Sequence, residues 1–123
     1  MRYRKYNNRR TKVGGYNFSS RLEADVYLML KEKEEEGLIK DIRCQVSVKL
    51  SLAEIKYIPD FAATTIGIMS NRDELIYYEA KGIETAPWRI KRRLWMKYGP
   101  APLEIWKRAG KDRIVLTDTI IPK

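Results

Sequence analysis

The sequence predicts a single mixed α+β domain, with a central mixed sheet flanked by helices. Three observations carry this. Apolar residues recur at helical spacing near the start of the chain, where Leu22, Val26, Met29 and Leu30 share one face. From Ile42 the period changes to two, and further strand-like stretches follow at 56–66 and 75–80. A second helical stretch with strong stop signals and two short apolar stretches complete the 123 residues, enough for one modest core.

Taken in order, residues 1–18 are basic and polar and contain Gly14 and Gly15, and they are expected to form a flexible arm ahead of one domain at 19–123. A helix is expected to start at Ser19 or Ser20, because Ser20 and Glu23 have the spacing of a capping box. It ends at Gly37, after the charged run Lys31 to Glu36. Ile42, Cys44, Val46, Val48 and Leu50 then alternate with polar residues, which predicts one strand with a buried face. A second strand is read from Lys56 to Ile66, a turn at 70–73 and a third strand from Leu75 to Ala80, together forming an antiparallel meander. Pro87 suits the first turn of a helix over 86–98, which Gly99-Pro100 ends. Strands at 103–107 and 113–119 follow, the first returning beside the third strand by a crossover through the helix.

Composition narrows the chemistry. The net charge of +9 favours a polyanionic partner. Its cations cluster: Arg2, Arg4, Lys5, Arg9, Arg10 and Lys12 in the arm, and Lys81, Arg89, Lys91, Arg92, Arg93 and Lys97 further on. Tyrosines and tryptophans interleave both clusters, a pattern suited to phosphates and exposed bases. Trp88, Trp95 and Trp106 are themselves expected in the core rather than stacked on bases. The chain has no histidine, which excludes His–zinc sites and Ser–His triads. Its single cysteine, Cys44, excludes an internal disulfide and reads as a core residue. No apolar run reaches membrane-spanning length and no apolar signal region follows Met1, so a soluble cytoplasmic protein is expected, with no membrane or organic cofactor.

The informative stretches are Tyr57-Ile58-Pro59-Asp60-Phe61 and Tyr77-Tyr78-Glu79-Ala80-Lys81-Gly82, and their charged residues Asp60, Glu79 and Lys81 carry the chemistry. Glu79 and Lys81 are two apart on a strand, so their side chains leave the same face. A turn centred near 70–71 would put Asp60 opposite Lys81 and diagonal to Glu79. Two converging carboxylates and the Ala80 carbonyl would offer Mg²⁺, or Mn²⁺ in its place, the hard oxygen ligands it prefers while leaving room for water and a phosphate oxygen. The ion would acidify a bound water, and Lys81 would orient it or stabilise the charge developing on phosphorus. Solvent-facing strand residues are the bland alternative.

These motifs resemble the two halves of the signature of the PD-(D/E)xK nuclease superfamily, and the order helix, three strands, helix, strand resembles its αβββαβ, restriction-endonuclease-like core over roughly residues 19–107. The resemblance implies a metal-dependent DNA endonuclease with Asp60, Glu79 and Lys81 catalytic. It also implies a catalytic, metal-binding role for an acidic residue on the first helix, for which Glu23 is the candidate in competition with its capping role, and a polar residue near the site, for which Gln45 is the candidate, holding a water or a DNA phosphate unless it simply faces solvent. Arg89, Arg92 and Arg93 would clamp phosphates beside the cut. The small size is similar to that of the Holliday-junction resolvases of archaea and phages, which implies a homodimer acting on four-way DNA junctions. Another phage-type endonuclease (flap, restriction-like or replication-associated) and a non-catalytic nucleic-acid-binding module are the alternatives.

Overall fold

A computed structural model describes residues 11–13, 15–67 and 72–123. The chain starts with a small antiparallel pair, β1 (Thr11–Val13) and β2 (Tyr16–Phe18). Gly15, at φ +85, takes the left-handed conformation this tight connection needs. The expected flexible arm at 1–18 is therefore corrected over its second half. Phe18 is only 4% exposed and its ring lies 5.1 Å from that of Tyr27 and 5.8 Å from that of Phe61. Burying that ring ties the pair to the core, and three-residue strands are too short to show a period in the sequence. Residues 1–10, with Arg2, Arg4, Lys5, Arg9 and Arg10, lie outside the described residues.

Helix α1 (Arg21–Glu35) starts where expected, with the Ser20 hydroxyl accepting from the Glu23 amide at 3.1 Å. Its buried stripe is Ala24, Val26, Tyr27 and Leu30, and Gly37 follows its end at φ +77. The single strand expected from Ile42 to Leu50 is two strands, β3 (Ile39–Cys44) and β4 (Val48–Lys49). Gln45, at φ +56, breaks them apart. Ile42 and Cys44 pack on one core, whereas Val46, Val48 and Leu50 belong to another. Period-two alternation looks the same on either side of a sheet, so the sequence hides this crossing. The expected strand at 56–66 divides likewise, into β5 (Lys56–Tyr57), which pairs with β4, and β6 (Phe61–Thr65). Pro59 and Asp60 fall in the break.

Strand β7 (Glu74–Ala80), helix α2 (Ala86–Tyr98), β8 (Leu103–Arg108) and β9 (Ile114–Ile120) follow the predicted order closely. The central sheet has five strands in the order β3-β6-β7-β8-β9, antiparallel except for the β7–β8 pair, which α2 connects. Over the described residues the fold is thus α+β, with a mixed sheet and two helices. Alternate residues of β6 and β7 face opposite helices. Phe61, Ala63, Ile76 and Tyr78 pack with α1, while Ala62 and Tyr77 pack with Trp88 and Trp95 of α2 and with Leu103, Ile105 and Ile120. Trp88 and Trp95 are core residues as expected, and Trp106 packs partly buried against the α1 side. Among the described residues no helix is long and apolar enough to cross a membrane.

Candidate active site

The β6–β7 register fixes the site. Phe61 pairs with Tyr78, so one further step along the ladder puts Asp60 beside Glu79. The expected pairing of Asp60 with Lys81 was two residues off, because the connection between β6 and β7 centres nearer 69–70 than 70–71. The correction brings the carboxylates closer together than the sequence count did. Glu79 shares a face with Tyr77, hence the α2 side, and Lys81 continues it.

The same step sets Pro59 against Ala80. A regular ladder would send an N–H from residue 59 to the Ala80 carbonyl, and proline has none. The Ala80 amide does not complete the ladder either. It donates instead to Asp60 Oδ2 at 2.8 Å. N–H and C=O of one strand residue leave on the same side, so the Ala80 carbonyl faces the Asp60 side without a ladder donor from position 59. Proline at 59 thus frees a backbone oxygen beside two carboxylates.

A cleft of about 530 Å³ opens at this point, lined by Ser19, Glu23, Asp60, Glu79, Ala80 and Lys81 among others. Glu23 reaches it from the first turn of α1, on the opposite face of the sheet, where β6 begins. The two roles weighed for Glu23 separate. Its backbone amide completes the cap, while its carboxylate accepts from Ser19 Oγ at 2.7 Å and from Gln45 Nε2 at 3.1 Å. Gln45 is therefore beside the site as expected, held there also by its amide, which donates to the Asp60 carbonyl at 2.9 Å. Asp25, two positions on from Glu23, instead pairs with Arg108 at 2.7 Å.

Electrostatics mark the cleft further. Burial, with Glu79 and Glu23 nearby, pushes the Asp60 carboxyl up to about 8. Burial also raises that of Glu79, against the pull of Lys81, whose Nζ is 3.5 Å from Glu79 Oε2. Glu79 is only 7% exposed and its Oε1 has no hydrogen-bond partner among the described residues. Two acids that disfavour their own charge, half-buried Asp60 and buried Glu79, and a freed carbonyl are a donor set that fits a hard divalent cation. Among the described residues no three acidic or sulfur side chains form a ready-made cage. The candidate donors are the Asp60 and Glu79 carboxylates and the Ala80 carbonyl, and the buried Glu23 carboxylate lines the same cleft. Burial and the neighbouring Glu23 and Asp60 carboxylates raise the Cys44 thiol, which suits a packing residue rather than a nucleophile.

A family described as "Protein of unknown function (DUF1064)" matches residues 3–111. The chain belongs to the DUF1064 family. No curated protein and no solved structure matches it. In this DUF1064 chain the matched span contains every residue of the cleft.

The candidate phosphate-binding residues divide. Arg89 and Arg93 are exposed on α2 and form no ion pair with the described residues. Arg92 is partly buried and paired with Asp118 of β9. Lys12 is exposed on β1. Tyr57 falls in a stretch the sequence singles out and Trp88 is an expected core residue, but neither was read as part of the site, where Trp88 lies under Lys81 and Tyr57 beside Glu79. Their polar atoms on otherwise apolar rings were the available signal, but only the fold brings them to the site.

Proposed function

We propose that this protein is a metal-dependent endodeoxyribonuclease with a restriction-endonuclease-like αβββαβ core. The observation that carries the reading is the convergence, in a chain of net charge +9, of Asp60, Glu79 and the Ala80 carbonyl with Lys81 in one cleft. Asp60, Glu79 and Ala80 would hold Mg²⁺ or Mn²⁺, with the buried Glu23 carboxylate on the same cleft. The bound ion supplies an acidified water and neutralises charge on the scissile phosphate. Lys81 carries the proton-handling and charge-stabilising role from the same strand face as Glu79. Asp60 accepts the Ala80 amide, which locks the carboxylate beside the carbonyl. Arg89 and Arg93, exposed on α2, suit contacts to DNA phosphates.

The substrate we favour is a four-way DNA junction, cut by a homodimer whose two-fold axis matches that of the junction. Small size, high positive charge and the resemblance of Pro59-Asp60 and Glu79-Ala80-Lys81 to the nuclease signature support it. The test compares Mg²⁺-dependent cutting of a labelled four-way junction with that of linear duplex of the same sequence, by the wild type and by Asp60→Asn. The expected result is preferential cutting of the junction, lost at least ~10²-fold in Asp60→Asn with binding retained. Equal rates on both substrates would remove the junction assignment. Unchanged cutting by Asp60→Asn would remove this site as the catalytic centre.

A further inference from the structure

Three buried polar side-chain atoms have no hydrogen-bond partner among the described residues: Tyr57 Oη, Glu79 Oε1 and Trp88 Nε1. Buried polar atoms are nearly always paired, so three orphans in one region need a cause. They do share a region. The Tyr57 and Trp88 ring centroids are 5.6 Å apart, and Lys81 Nζ sits 4.6 Å from the Trp88 ring centroid while also 3.5 Å from Glu79 Oε2. The Tyr57 phenol is near enough to the Glu79 carboxylate for each to alter the other's proton affinity.

Packing explains the rings but not the hydroxyl. Tyr57 is 9% exposed and fills the α2-side core with Trp88 and Trp95, a task a phenylalanine would perform without leaving a buried O–H unpaired. Glu79, whose Oε1 is buried and without a partner among the described residues, neighbours the hydroxyl. Glu79 Oε2 already faces Lys81 and the cleft, which leaves Oε1 toward the core wall. Trp88, at the start of α2, holds the Lys81 ammonium over its ring from the same wall.

We propose that Tyr57 is a positioning residue for the active centre, its hydroxyl donating to Glu79 Oε1 when Oε2 engages the metal. This rests on the nuclease reading above. Tyr57 precedes Pro59-Asp60 by two residues, so the short β4–β5 pair that anchors Tyr57 also delivers Asp60. Groups that orient a metal ligand in this way typically affect metal affinity or activity by about 10–100-fold.

The test is calorimetric titration of Mn²⁺ into the wild type, Asp60→Asn and Tyr57→Phe, with thermal melting of the metal-free proteins and Mg²⁺-dependent junction cleavage on the same preparations. The wild type is expected to bind Mn²⁺ and Asp60→Asn to lose it. Tyr57→Phe is expected to bind at least ~10-fold more weakly and to lose kcat with KM unchanged. Its metal-free melting temperature should stay equal or rise, because an unpaired buried hydroxyl has been removed. Wild-type affinity and kcat in Tyr57→Phe would overturn the positioning role and leave the nuclease reading standing. A fall in melting temperature with weaker binding would make the hydroxyl structural and would also overturn it. Absence of Asp60-dependent Mn²⁺ binding in the wild type would bring down the nuclease reading and this inference together.

Discussion

Burying Asp60 beside Glu79 puts two like charges in a poorly solvated place, and the metal-free protein bears the cost. The sign follows from the raised carboxyl. The Asp60 contribution to stability is fully present below its ordinary value of 3.8 and is lost as pH rises through about 8. The metal-free protein should therefore melt at a lower temperature at pH 8.5 than at pH 6. Mg²⁺ should stabilise it more at the higher pH, where the ligands need not shed protons first. Melting curves at both values with and without Mg²⁺ check this, and a Mg²⁺ effect that is larger at pH 6 would contradict it. Asp60→Asn keeps an oxygen for the Ala80 amide, so it should raise the metal-free melting temperature at pH 8.5 by about 5 °C and flatten its pH dependence. Ser20 and Glu23 offer a second contrast at this scale. Ser20→Ala should cost about 1 kcal/mol of stability by removing the α1 cap, with Mn²⁺ affinity unchanged. Glu23→Gln should leave the cap intact and weaken the metal response, because its backbone amide does the capping while its carboxylate faces the cleft. Melting and Mn²⁺ titration of the two variants would show whether the effects separate in this way.

Pro59 shows how an element boundary can make a site. Lying just outside the ladder, which ends at the Phe61–Tyr78 pair, it leaves the Ala80 carbonyl without its donor. Pro59→Ala would restore that N–H and let β6 and β7 extend by two pairs, 60–79 and 59–80. Mn²⁺ affinity is then expected to fall by about 10-fold with the secondary structure intact, read by titration and far-ultraviolet circular dichroism. Unchanged affinity would show that the carbonyl does not matter. Elements were legible where one residue type decides them. Ser20 starts α1, Pro87 and Gly99 bound α2, and the order of the main strands followed from period and turn residues. The motifs at 59–60 and 79–81 were legible because charge is out of place in apolar strands. Three things were not. The two-residue register error came from counting a turn whose geometry the sequence does not state. The break at Gln45 was hidden because alternation survives a change of face. Tyr57 and Trp88 are far apart in sequence and meet only through packing in the fold.

At the scale of the whole molecule, the positive charge is unevenly committed. Arg92, Lys107 and Arg108 pair with Asp118, Glu84 and Asp25, whereas Arg89 and Arg93 face solvent. That division was illegible from the run Arg89-Ile90-Lys91-Arg92-Arg93, because β9 supplies the acid from 26 residues away. It makes a prediction that charge counting does not. Arg89→Ala and Arg93→Ala should each weaken DNA binding across sequences and reduce the slope of log affinity against log salt by about 1, with stability unchanged. Arg92→Ala should instead lower the melting temperature and leave that slope alone. Binding titrations over a range of salt, beside melting curves, distinguish them. The most direct measurement of the central claim is a crystal structure grown with Mn²⁺, using the anomalous signal of the metal. The expected result is a peak in the cleft within about 2.3 Å of one carboxylate oxygen each of Asp60 and Glu79, with the Ala80 carbonyl completing the protein ligands. A fully occupied Mn²⁺ elsewhere on the molecule, with this cleft empty, would contradict it.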